Sequence, residues 1–82
     1  MNMKQPITMR IRDLGLAAAL VSSDCELRGT SRDISGRVYF IFAQTKRLDG
    51  VVNSYWADTL NVRARRFYDN TKMLKSTIYA EE

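Results

Sequence analysis

Cations and phenols recur along the last third of the chain at the spacing of one helix face. On a helical wheel of about 100° per residue, these side chains form one strip along the helix. The strip consists of Arg65, Tyr68, Lys72, Lys75 and Tyr79. Lysine and arginine neutralise phosphates, and tyrosine rings stack on bases or donate to phosphate oxygens. The pattern favours a nucleic-acid-binding surface, although a solvated helix face whose tyrosines pack on neighbouring elements would have the same sequence.

Further arginines precede this strip near the predicted start of the same helix. Backbone N–H groups and the positive end of the helix dipole would add to their charge, which predicts a phosphate contact there. Asp69 is a helical neighbour of the strip, and its carboxylate neutralises part of the positive charge. The complete predicted nucleic-acid-binding set is Arg63, Arg65, Arg66, Tyr68, Lys72, Lys75 and Tyr79.

The composition narrows the function without deciding it. The net charge of +4, from 13 Lys+Arg against 9 Asp+Glu, permits a polyanionic partner but does not require one. The absence of histidine excludes zinc sites built on histidine and Ser-His or Cys-His catalysis. The carboxylates show no paired spacing, and no phosphate-loop pattern is present, so we expect no enzyme, no cofactor and no metal. The lone Cys25 cannot form an internal disulfide, which fits a reducing cytoplasm.

The strongest strand signal is 37–42, a run of β-branched and aromatic residues. Alternation predicts that Phe40 and Phe42 face the helices. Tyr39 and Ile41 then lie on the opposite face and need cover, either from the N-terminal arm or from a second chain. We therefore predict a protein interface at Tyr39 and Ile41, and a homodimer as one way to form it.

Hydrophobic patterning predicts three helices, each preceded by a polar residue that can cap it. With their caps Asp13, Thr45 and Asn61, the predicted helices cover 13–22, 45–58 and 61–79. The apolar run in the first helix is too short to span a bilayer, so no membrane association is expected. The second helix carries an apolar stripe, which predicts a place in the core for Trp56.

The remaining elements complete a single domain over 1–82. A half-exposed strand is predicted at 25–30, with Leu27 facing the core and Thr30 facing solvent. A turn at 32–36 joins it to the central strand as an antiparallel hairpin. Residues 7–12 form an extended arm that either adds a third strand or leaves an edge for a second chain to pair. Residues 1–6 are predicted to be disordered and 80–82 to be frayed. The fold class is α+β in the order αββαα, with a small antiparallel sheet and helices on one face.

Four segments carry a family resemblance in their order along the chain. They are Asp13–Ala18, Arg37–Phe42, Tyr55–Trp56 and Phe67–Tyr79; within the last segment the resemblance lies at Phe67, Leu74–Ser76 and Ile78–Tyr79. Over about 7–79 the chain resembles a family of short bacterial and phage proteins catalogued only as a domain of unknown function. The resemblance implies a compact helix–hairpin–helix–helix domain of a prokaryotic or viral genome and implies no catalytic residues. At the start of the last helix, this chain has Asn61–Ala64, which is more basic than the acidic start expected in the family.

These observations lead to two functional hypotheses. The first is a small, non-enzymatic accessory protein of a bacterium or phage that binds nucleic acid through its C-terminal helix. The second is a protein-binding adaptor or inhibitor, of the kind phages encode, that acts through an exposed sheet edge. In both cases the expected location is the cytoplasm of a bacterium or of a phage-infected host.

Overall fold

A computed structural model describes residues 7–80, and the predictions for 1–6 and for 81–82 lie outside this range. The elements are β1 Thr8–Ile11, α1 Leu14–Ser22, β2 Leu27–Arg32, β3 Val38–Ala43, α2 Lys46–Trp56 and α3 Ala64–Ala80. The strands form an antiparallel sheet in the order β1–β3–β2. The predicted α+β class, with helices packed on one face of a small antiparallel sheet, is confirmed.

The N-terminal arm supplies the third strand of this sheet. Met9 pairs with Phe42 and Ile11 with Phe40, and Ile11 is buried in the core. The Gln44 backbone N–H also donates to the Ile7 carbonyl at 2.9 Å. A two-stranded hairpin is only marginally stable, so the third strand contributes to the stability of the sheet. Because β3 is paired on both sides, the outer edges of the described sheet belong to β1 and β2.

The two faces of β3 differ in burial as its alternation predicts. Phe40 and Phe42 are completely buried, whereas Tyr39 and Ile41 are only half-buried. Fully burying a phenylalanine side chain contributes about 1.5–3 kcal/mol, so these two rings anchor the sheet to the helices. The face that carries Tyr39 and Ile41 is called the open sheet face below.

Helix α1 is buried around most of its circumference. Four consecutive residues, Ala17–Leu20, are at most 1% exposed. The helix contacts β1, α2 and α3, and its alanines allow these neighbours to approach closely. The predicted cap is confirmed, since the Asp13 carboxylate accepts a hydrogen bond from the Leu16 N–H at 2.9 Å.

A β-bulge in β2 changes which residues face the core. Leu27 pairs with Phe42 and Gly29 with Ile41, so Arg28 is an extra residue in the strand. Each residue beyond the bulge is therefore shifted to the other face. Thr30 pairs with Phe40 on the core face, and the prediction that it faces solvent is wrong for this reason.

The hairpin turn lies where it was predicted, and Asp33 organises it. The Asp33 carboxylate accepts hydrogen bonds from the Ser35 N–H, the Ser35 hydroxyl and the Arg37 N–H at 2.6–3.0 Å. Its second oxygen accepts one from the Tyr39 hydroxyl at 3.2 Å. These bonds, led by the one from the Ser35 hydroxyl, lower the pKa of Asp33 to about 2. Gly36 has a φ of 91°, which a glycine adopts without steric cost.

The first two helices end in the same motif. After α1, the Cys25 N–H donates to the Leu20 carbonyl and the Asp24 N–H to the Val21 carbonyl. After α2, the corresponding bonds run from Thr59 to Ser54 and from Asp58 to Tyr55. These are Schellman motifs, in which the residue after the cap adopts a left-handed conformation. Glycine usually fills that position, but here it is filled by Asp24 at φ 65° and Asp58 at φ 61°.

Three predictions about the later helices need correction. The predicted cap of α2 is confirmed by a 3.0 Å bond from the Leu48 N–H to the Thr45 hydroxyl, but the helix ends at Trp56. Trp56 is 62% exposed and is therefore not a core residue, whereas its neighbour Tyr55 in the same turn packs against the core. Helix α3 begins at Ala64, so Asn61 lies too far upstream to cap it.

Candidate nucleic-acid interface

Packing against α1 determines which side of α3 faces outward. Leu74 is completely buried, and Phe67 and Ile78 on the same side pack against the core. The Asn70 side chain donates to the Ser22 hydroxyl at 2.9 Å, which ties α3 to the C-terminal end of α1. The face of α3 opposite Leu74 is therefore directed away from the protein.

This outer face carries all five residues of the predicted strip. Arg65, Tyr68, Lys72, Lys75 and Tyr79 are all exposed. Tyr68 and Tyr79 are 61% and 62% exposed, so most of each ring surface is accessible to a partner. The structure thus brings the predicted cations and phenols together on one surface, called the α3 outer face below.

Two of the three cations on the α3 outer face already contact a neighbouring side chain. The Lys72 ammonium nitrogen lies 4.7 Å from the centroid of the Tyr68 ring, a cation–π contact that holds both groups near the middle of the helix. The Arg65 guanidinium lies 3.7 Å from the Asp69 carboxylate. Both side chains of that ion pair are more than half exposed, so it is weak and phosphate can compete for the arginine.

The remaining two arginines of the predicted set lie apart from this face. Arg66 is directed toward α1, where it donates to the Ser22 carbonyl at 3.4 Å and lies 3.6 Å from the Asp24 carboxylate. It thereby neutralises the negative end of the α1 dipole. Arg63 is exposed just before α3, and its carbonyl accepts the first helical hydrogen bond, from Phe67. A phosphate at the start of α3 would thus meet Arg63 and Arg65 but would have to compete with α1 for Arg66.

The second predicted site, at Tyr39 and Ile41, lies at the centre of the sheet and not at an edge. The Arg10 guanidinium carbon of β1 stacks 4.1 Å from the centroid of the Tyr39 ring, and Arg10 is the register partner of Ile41. The N-terminal arm therefore supplies part of the cover that these residues need. The sequence placed Arg10 in the extended arm at 7–12, but its contact with Tyr39 depends on the register between β1 and β3.

Cys25 is a core residue. Its side chain is buried, and burial raises the pKa of the thiol, with Asp24 adding to the effect and Arg47 opposing it. A raised pKa lowers the thiolate fraction and with it the reactivity. Across 7–80 no three metal-binding side chains come together, and no helix in that range is long and apolar enough to cross a membrane.

The fold and this surface define a small α+β domain with an exposed, basic and tyrosine-bearing helix face. A family model described as Domain of unknown function (DUF5659) matches residues 7–80, and the chain belongs to this family. The predicted resemblance to an uncharacterised family is thereby confirmed. No curated protein and no solved structure is significantly similar to the chain.

Proposed function

We propose that the protein is a small, non-enzymatic accessory protein of a bacterium or phage that binds nucleic acid through the α3 outer face. The observation that supports this most is the exposure of three cations and two tyrosines on one side of a single helix. Seventeen residues of helix span about 25 Å, which is enough to follow several phosphates of a backbone. Cations bind the phosphates, and the two tyrosines stack on bases or donate to phosphate oxygens.

The number of cations sets the expected salt dependence. If Arg65, Lys72 and Lys75 each neutralise one phosphate, the slope of log K against log salt is about −2.7 for a duplex and about −2 for a single strand. Between 50 and 200 mM salt, the affinity for a duplex then falls roughly 40-fold. Titrations of a labelled duplex and a labelled single strand measure both slopes.

Charge reversal then tests the site. Lys72→Glu and Lys75→Glu should weaken binding to all sequences alike and flatten the salt slope. Lys46→Glu is the matched control, because Lys46 is an equally charged, exposed residue at the start of α2. Binding that is unchanged in both α3 variants, or weakened as much by the control, would overturn the assignment.

The second candidate function is that of an adaptor or inhibitor that binds a host protein through the sheet. The observation that favours it is the open sheet face, where Tyr39 and Ile41 remain only partly buried at the centre of three strands. A host protein that co-purifies with the wild type should be lost from Ile41→Asp and retained by Lys72→Glu. The opposite pattern would remove this candidate.

A homodimer and a cytoplasmic location complete the proposal. Since β3 is already paired on both sides, a dimer would join β1 or β2 edges or cover the open sheet face. Light scattering at high micromolar concentration tests this, and a monomeric mass would contradict it. The buried free thiol of Cys25 supports a reducing compartment, and recovery of the protein in an envelope fraction of bacterial cells would contradict a cytoplasmic location.

A further inference from the structure

A pocket of about 400 Å³ lies between the end of α2, the 57–63 linker and the start of α3. Tyr55, Trp56 and Phe67 supply aromatic walls, Leu60 and Val62 supply aliphatic ones, and Asp58 supplies a carboxylate. The Tyr55 and Trp56 rings lie 5.0 Å apart at 84°, so two walls are perpendicular to each other. The volume is in the range of small-molecule sites.

Asp58 destabilises the end of α2 through both its backbone conformation and its charge. Its φ of 61° is unfavourable for a residue with a side chain, and its negative charge lies at the negative end of the α2 dipole. Asp24 occupies the same position after α1, but its charge is compensated by Arg66 at 3.6 Å. Among residues 7–80, no such ion pair joins Asp58 to a cation. Asp58 is exposed, so water solvates its carboxylate, and a cation bound in the pocket would add an electrostatic partner that the protein does not supply.

We propose that this pocket binds the quaternary ammonium group of a small organic cation. Aromatic faces attract cations through their quadrupoles, and a set of such faces is how proteins bind quaternary ammonium. The carboxylate of Asp58 adds charge complementarity and disfavours anions. A quaternary nitrogen has no N–H to satisfy, which matches a pocket whose walls are rings and aliphatic groups. A primary ammonium is more strongly hydrated, and its three N–H donors would find few acceptors beyond the Asp58 carboxylate.

Trp56 gives this proposal a direct readout, because it is the single tryptophan of the chain. The probes are choline and tetramethylammonium chloride, with 3,3-dimethyl-1-butanol as the uncharged isostere of choline and sodium chloride added to match ionic strength. Both cations should shift the Trp56 indole N–H resonance and quench its fluorescence saturably. The uncharged isostere should bind at least about tenfold more weakly.

Variants separate a cation site from a general apolar pocket. Asp58→Asn keeps the shape of the side chain but removes its charge, so it should weaken choline binding about tenfold. Trp56→Leu should weaken choline binding by at least about tenfold, measured by ligand-observed NMR because the variant lacks the tryptophan signal. Tyr68→Leu is the matched control, because Tyr68 is as exposed as Trp56 but lies outside the pocket. It should leave choline binding unchanged.

Three results would overturn the proposal. They are equal binding of choline and its uncharged isostere, no saturable change at Trp56 with either cation, and equal weakening by Trp56→Leu and Tyr68→Leu. Circular dichroism of each variant checks that the fold is intact. Trp56→Leu should leave nucleic-acid binding unchanged, so this proposal and the proposed function are tested independently.

Discussion

Replacing Asp58 with glycine should stabilise the protein, because two unfavourable features of that residue are removed together. The left-handed conformation costs a residue with a side chain about 1–2 kcal/mol. Glycine avoids this cost but gives back about 0.5–1 kcal/mol through the greater freedom of the unfolded chain. Removing a negative charge from the end of a helix adds about 0.3–1 kcal/mol. The expected net gain is therefore about 1 kcal/mol in the free energy of unfolding.

Two further variants divide this gain into its parts. Asp58→Asn leaves the conformational cost about unchanged and removes the charge, so only the dipole contribution of about 0.3–1 kcal/mol should appear. Asp24→Gly relieves the same conformation after α1 but loses the exposed ion pair with Arg66, worth about 0.2–1 kcal/mol. Its gain should be smaller than that of Asp58→Gly.

Urea unfolding and thermal melts followed by circular dichroism measure all three variants. A gain of 1 kcal/mol raises Tm by about 4–8 °C in a domain of this size. Under the ammonium-binding proposal, Asp58→Gly should become more stable and lose choline affinity at the same time. An Asp58→Gly variant that is no more stable than the wild type would refute the conformational argument.

Other predictions follow from packing and from the turn. Gly15→Ala should destabilise the protein by about 1–3 kcal/mol in urea unfolding, because the new methyl would lie 2.6 Å from the Tyr55 hydroxyl oxygen; an unchanged midpoint would refute this contact. Leu74→Ala should lower the free energy of unfolding by about 2.7–5 kcal/mol, because Leu74 is completely buried. Its neighbour Met73 is exposed, so Met73→Ala should change that free energy by less than about 0.5 kcal/mol. Similar losses in the two variants would show that α3 does not pack against the core through Leu74. The pKa of Asp33 lies below its ordinary value, so its turn stabilises the protein fully above pH 3.8 and progressively less as the pH falls to about 2. The stability difference between wild type and Asp33→Ala should narrow over that interval, and a constant difference would contradict the role of the carboxylate.

Local signals in the sequence were sufficient for much of the fold. The caps Asp13 and Thr45, the turn around Asp33 and the alternation of β3 all depend on residues close together in the chain, and all are confirmed. The five exposed residues of the α3 outer face followed from helical periodicity in the same way.

Features set by register and tertiary packing were not predictable in this way. A bulge at Arg28 adds one residue to an alternating pattern, so Thr30 was assigned to the wrong face; Gly29 inside the strand was the one local signal of a bulge. The ends of α1 and α2 lack the glycine that would mark a left-handed residue, and Asp24 and Asp58 occupy that position instead. The exposure of Trp56 and the direction of Arg66 depend on how α2 and α3 pack against α1, which no local pattern encodes.

The salt dependence of nucleic-acid binding tests the central claim most directly. A labelled duplex titrated with the wild type and with the Lys72→Glu, Lys75→Glu double variant, at 50 and 200 mM salt, compares the slopes. The proposed function predicts a slope of about −2.7 for the wild type and a much flatter slope for the variant. No binding by the wild type at 50 mM salt, or equal slopes for the two proteins, would contradict it.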